Sequence, residues 1–127
     1  MAIQKNVIQR WVQALRSGQY SQCRKVLHNK TTNGYCCLGV LCDLFAQEKH
    51  LDAERDVFYR ARDYDQTLPS EVAEWAGLES KNPMVAYSTE RGERISLTRL
   101  NDGGPWLEVA PLDFLKIADL IEAEWLP

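Results

Sequence analysis

Apolar residues recur at every fourth position near the start of the chain: Ile3, Val7, Trp11 and Leu15, with Ile8 and Ala14 alongside. Gln4, Lys5, Gln9, Gln13 and Arg16 fill the opposite side. A stripe of this kind predicts an amphipathic helix over 2–17, with Gly18 as its C-terminal cap. Tyr20, Cys23 and Leu27 also share a helical face and predict a second, short helix over 20–28. Asn29 to Gly34 is polar turn material.

The pattern then changes. From Tyr35 to Cys42 no residue is charged. At helical period Cys37, Leu41, Leu44 and Phe45 share a face, Leu38 and Cys42 lie beside it, and Val40 extends it further round. A helix apolar on most sides has to be covered on most sides. Residues 36–48 are therefore predicted to form a central helix around which the rest packs.

Val57-Phe58-Tyr59 predicts a short strand between charged stretches. Pro69 to Ala76 predicts a helix, with Pro69 at the first helical position and Gly77 as the cap. Met84–Ser88 and Glu93–Leu97 flank Glu90-Arg91-Gly92 and predict a hairpin. A helical turn over 97–102 is broken by Gly103-Gly104-Pro105. The last helix, 112–125, turns Leu112, Leu115, Ile117, Ala118, Ile121 and Trp125 inward. The expected fold class is α+β: one mostly helical domain, 1–127, around a buried central helix, with a small antiparallel hairpin or sheet.

A chain of 127 residues suits one domain, and 45% hydrophobic with 26% charged residues is ordinary for a soluble globular protein. No apolar run approaches the ~18 residues of a membrane span, and the N-terminus lacks a signal-peptide core. The expected location is cytoplasmic, with no membrane partner. A net charge of −3 and a pI near 5.4 argue against non-specific binding of nucleic acid.

Several blocks resemble small phage and prophage proteins that have no assigned activity. They are Trp11-Val12-x-Ala14-Leu15-x-Ser17-Gly18, Tyr35-Cys36-Cys37-Leu38-Gly39-Val40-Leu41-Cys42-Asp43 and Glu74-Trp75-Ala76-Gly77-Leu78. Asn82-Pro83, Leu100-Asn101-Asp102-x-Gly104 and Ile117-Ala118-Asp119-Leu120-Ile121-Glu122 follow in the same order. The resemblance covers nearly the whole chain, apart from residues 51–67 and the 88–94 loop. It implies a phage-encoded accessory protein acting in the host-cell cytoplasm. It brings no catalytic residues.

Four chemistries find candidate residues in this chain. A cysteine hydrolase would use Cys36 or Cys37 at a helix start, where the dipole lowers a thiol pKa. Along a continuous helix His50 would lie about 20 Å beyond Cys37, too far to act as base. His28 precedes the turn, and both histidines read as solvent-facing. Cys23, Cys36, Cys37 and Cys42 read as free, core-packed thiols. A zinc site from Cys23, His28, Cys37 and Cys42 is disfavoured, because Cys37 and Cys42 would sit about 140° apart around a helix. No metal and no cofactor is expected. A helix-turn-helix over 96–121 would present a last helix with Asp113, Asp119, Glu122 and Glu124 against Lys116 alone, so nucleic acid is not the expected partner.

The fourth chemistry is binding of a small nucleotide-type ligand. Arg55, Arg60, Arg62, Arg91, Arg94 and Arg99 lie among Tyr59, Tyr64, Tyr87 and Trp106. Guanidinium forks hold phosphates and aromatic rings stack on bases. Alternating carboxylates (Glu54, Asp56, Asp63, Asp65, Glu90, Glu93) also fit an ordinary solvated surface. The candidate ligand residues are Tyr35, Tyr59, Arg60, Asn82, Arg99, Asn101, Asp102 and Trp106. Arg60 and Arg99 are assigned to phosphate, Tyr35 and Trp106 to stacking. The pocket is placed within one chain or at an interface between copies. In a phage setting the expected function is non-enzymatic capture of a host signalling nucleotide. The alternative partner is a host defence protein, blocked by direct binding.

Overall fold

The computed structural model describes residues 2–52, 57–88, 93–103 and 111–127, with the backbone alone for Val57, Tyr59, Arg60 and Ser88. The first amphipathic stripe forms α1 (Lys5–Arg16), burying Val7, Ile8, Trp11, Val12 and Leu15. The uncharged block forms α2 (Cys37–Glu48), in which every residue from Cys37 to Cys42 is buried. Leu44 is half-buried, at the margin of the expected core face. α4 (Ser70–Ala76) ends at Gly77, which adopts φ 75° as a left-handed cap. Pro69 precedes this helix as its N-cap instead of opening it. β3 (Met84–Ser88) and β4 (Glu93–Ser96) pair antiparallel, with Val85 opposite Ile95 and an irregularity between Ala86 and Ser88. α5 (Leu97–Asp102) and α6 (Phe114–Trp125) complete the core. The class is α+β, as expected.

Two expected elements are absent, and for different reasons. Residues 20–28 do not form a helix. Their backbone bonds go to the chain that follows: Cys23 N–H donates to Tyr35 C=O at 2.8 Å, and Tyr35 N–H to Ser21 C=O at 2.7 Å. Lys25 has φ 74°, which a right-handed helix does not contain. The segment ends in β1 (His28–Asn29), paired antiparallel with β2 (Gly34–Tyr35). Val57-Phe58-Tyr59 is not a strand but the start of α3 (Val57–Tyr64). Phe58 is buried there against Phe45, with ring centroids 5.6 Å apart.

α2 passes so close to Leu27 that only glycine fits at position 39. A Cβ there would lie 1.7 Å from the Leu27 carbonyl oxygen. α1 packs most extensively on α6, and Trp11 stacks on Trp125 at 6.3 Å. The Trp11 indole donates to the Cys37 carbonyl at 2.9 Å, tying α1 to the start of α2. Leu115, expected inward, is 57% exposed. Among the described residues, no helix is long and apolar enough to cross a membrane.

Candidate functional site

The α4–β3 connection turns back after Gly77 and carries Asn82 to the first turn of α5. The Asn82 amide donates to Thr98 Oγ1 at 3.0 Å, and its oxygen accepts Thr98 N–H at 3.4 Å. This clamp fixes one wall of a cleft of about 420 Å3. Hairpin residues Met84 and Arg94 form a second wall, and Glu124 and Trp125 from the end of α6 form a third. Glu79 and Ser80 line the side nearest α4 and continue into a neighbouring depression of about 400 Å3 that reaches Lys81. Small-ligand sites commonly fall in this size range and combine a few directional polar groups with apolar surface.

Arg94 and Glu124 meet where the hairpin and α6 walls of the cleft join. Arg94 Nη2 donates to Glu124 Oε2 at 3.1 Å and to the Met84 carbonyl at 3.0 Å. Glu124 Oε1 accepts the Ala86 N–H at 2.9 Å. Burial pushes the Glu124 carboxyl upward, but the Ala86 N–H and the Arg94 guanidinium outweigh it and hold the group below its ordinary value. The free edge of β3 is thereby closed by a carboxylate on its N–H and a guanidinium on its C=O.

A second polar cluster lies beside α2 and contains Tyr35. Tyr20 donates to Asp43 Oδ2 at 2.6 Å. Burial, then Asp43, pushes the Tyr20 hydroxyl upward. Arg62 reaches Asp43 Oδ1 at 3.5 Å and lies 5.6 Å over the Tyr35 ring. His28 Nδ1 meets Asp63 Oδ1 at 2.6 Å, and Nε2 meets Asn33 Oδ1 at 2.8 Å. His28 is thus buried and fully engaged, where the sequence suggested a solvent-facing ring. Tyr35 is packed edge-on against Tyr20 at 5.1 Å and tilted against His28 at 4.7 Å. These contacts make it a core ring, not the ligand-stacking surface expected of a residue beside a turn.

Asn101 is fully buried and belongs to the core as well. Its oxygen accepts Cys37 N–H at 3.1 Å and Gln22 Nε2 at 2.9 Å, and its nitrogen donates to Cys23 C=O at 2.8 Å. Asp102 accepts the Lys25 N–H at 3.1 Å. Both residues therefore fasten the 22–25 segment to the start of α2 and the end of α5, and neither lines the cleft. Arg99 is exposed on α5 and does not line the cleft. Tyr59 and Arg60 lie on α3 with side chains outside the described residues, and Trp106 lies outside them altogether. Of the expected ligand residues, the cleft contains Asn82, joined there by Arg94 from the arginine-rich middle of the chain. Glu124 and Trp125 were missed, because no local spacing brings the end of α6 to a hairpin.

Cys36, Cys37 and Cys42 are buried in the core as expected, whereas Cys23 is half-buried on a segment that is not the expected helix. Cys36 caps α2, its sulfur accepting Gly39 N–H at 3.3 Å, and burial pushes its thiol up to about 12. Burial also raises Cys37 well above its ordinary value. On α6, Asp119 and Glu122 hold Arg16 of α1 at 2.8 and 3.1 Å, so its acidic face is engaged within the fold.

A family model described as a domain of unknown function (DUF8296) matches residues 3–125. The chain belongs to this family. No curated protein and no solved structure matches it. DUF8296 membership spans the whole cleft, from Ile3 to Trp125, so the cleft is assembled within the family's own domain.

Proposed function

We propose that this DUF8296 protein is a non-enzymatic accessory protein of phage origin that captures a small nucleotide-type ligand in the Asn82–Arg94 cleft. Capture would withdraw a signalling molecule from the host's defence. The observation that supports this reading is the meeting of an amide, a guanidinium and an indole around one cleft of about 420 Å3. The amide offers directional bonds, the guanidinium a fork for phosphate, and Trp125, braced by Trp11, an aromatic surface.

Calorimetry with cyclic and ADP-ribose-type nucleotides tests the reading. At least one should bind well below millimolar. Arg94→Ala should weaken it by ~1.5–3 kcal/mol, the usual cost of a lost charged hydrogen bond. If none binds below about millimolar, where binding is worth only ~4 kcal/mol, ligand capture is wrong.

A second reading is direct blocking of a host protein. It draws on Met84 and Tyr87, 47% and 38% exposed on β3 beside the same cleft. Exposed apolar and aromatic side chains on one strand suit a protein surface better than a nucleotide.

A further inference from the structure

Any anionic ligand of this cleft meets an obstacle: Arg94 already holds a carboxylate. Its Nη2 reaches Glu124 Oε2 at 3.1 Å and its Nη1 reaches Oε1 at 3.4 Å. The Ala86 N–H reaches Oε1 at 2.9 Å. A guanidinium fork with an added backbone N–H is the donor set that recognises a carboxylate or a phosphate.

The donors and the acceptor are anchored differently. Ala86 is fixed by its pairing with Arg94 in the hairpin. Arg94 is tethered to the Met84 carbonyl at 3.0 Å, independently of Glu124. Glu124 stands in the last turn of α6, one residue before its end. The Glu124 carboxylate hangs on a flexible side chain, so it can swing away by rotamer change without unwinding the turn that Trp125 anchors on Trp11. Glu124 can therefore leave while the donors stay in place.

We propose that Glu124 is an internal stand-in for the ligand's anionic group: it fills an anion subsite made by Arg94 and the Ala86 N–H, and an incoming phosphate displaces it. This rests on the reading of the cleft as a ligand site. It adds which atoms hold the anion, and that the ligand binds in competition with the chain's own carboxylate. Affinity is then reduced by the fraction of molecules in which Glu124 occupies the subsite. The net negative charge of Glu79 and Glu124 against Arg94 becomes a selectivity device, since a weak anion fails to displace Glu124.

The test uses inorganic pyrophosphate as the probe, by calorimetry on the full chain. Wild type, Glu124→Gln, Glu124→Ala and the double variant Glu124→Ala with Arg94→Ala are compared, each checked by thermal melting. Both Glu124 variants should bind pyrophosphate about tenfold more tightly than wild type or better, and the double variant should lose the gain. Equal affinity across wild type and the Glu124 variants overturns the proposal, as does a gain that survives loss of Arg94, or no pyrophosphate binding by any variant. If wild type binds a nucleotide and Glu124 has no influence, the stand-in is wrong and the ligand cleft stands. If Glu124→Ala binds pyrophosphate through Arg94 but no form binds a nucleotide, the subsite stands and the nucleotide reading is wrong.

Discussion

The side-chain oxygen of Asn101 accepts the backbone N–H of Cys37 at 3.1 Å across 64 residues of sequence. It satisfies an amide at the start of α2 that has no partner within the helix. The same side chain donates to the Cys23 carbonyl, so one amide joins the central helix, α5 and the segment before β1.

Removing that amide strands buried groups on both partners. Asn101→Ala should lose more than about 2 kcal/mol, since each stranded buried group costs ~1–3 kcal/mol. Asn101→Asp keeps the acceptor for Cys37 but sets a buried carboxylate against the Cys23 carbonyl and Asp102, and should lose at least as much. Urea denaturation of the three forms decides it, and a wild-type midpoint for Asn101→Ala would refute the assignment.

Gly39→Ala should cost about 3 kcal/mol or more, because a backbone atom and not a flexible side chain blocks the new methyl. Thermal melting checks this. A variant that melts within a degree or two of wild type would mean that α2 and Leu27 are not in contact.

Much of the fold was legible because it follows local periodicity. α1, α2, α4 and the hairpin each carry their pattern within a dozen residues. The 20–28 segment misled because Tyr20, Cys23 and Leu27 fit a helical period by coincidence. The segment's backbone instead pairs with Tyr35 through Ser21 and Cys23, a contact no spacing encodes. Val57-Phe58-Tyr59 misled by its β-rich composition, and Phe58 packing on Phe45 within a helix prevails. The site was half legible. Asn82 stood out as a candidate ligand residue and Arg94 as one of a cluster, but Glu124 joins them only through the packing of α6 on β3 and α1.

The thiols should be inert in the folded state. With Cys36 pushed up to about 12, roughly one part in ten thousand is thiolate at pH 8. Burial also raises Cys37 and Cys42 well above their ordinary value, and half-buried Cys23 is raised too. A thiol reagent should label Cys23 first and the other three on unfolding. Rapid stoichiometric labelling of Cys36 or Cys37 in native protein would contradict their place in the core.

Acid should weaken the α6–hairpin contact. The Glu124 carboxyl is held below its ordinary 4.5 in the fold, so the folded state favours its ionised form. That contribution is present in full above 4.5 and is lost as pH falls through the lowered value. Between pH 7 and 3 the melting temperature of wild type should drop further than that of Glu124→Gln. Parallel profiles would show that the Arg94–Glu124 pair contributes nothing to folding.

The central claim is that a nucleotide-type ligand binds between the hairpin and the end of α6. Titration of 15N-labelled protein with the tightest-binding nucleotide, followed by amide NMR, tests it most directly. The account predicts that the backbone amide of Ala86 and the side-chain signals of Arg94 and Trp125 shift together and saturate, while Asn101 and Cys37 in the core stay still. Shifts centred on α3 and Arg99, with Ala86 and Trp125 unmoved, would contradict it.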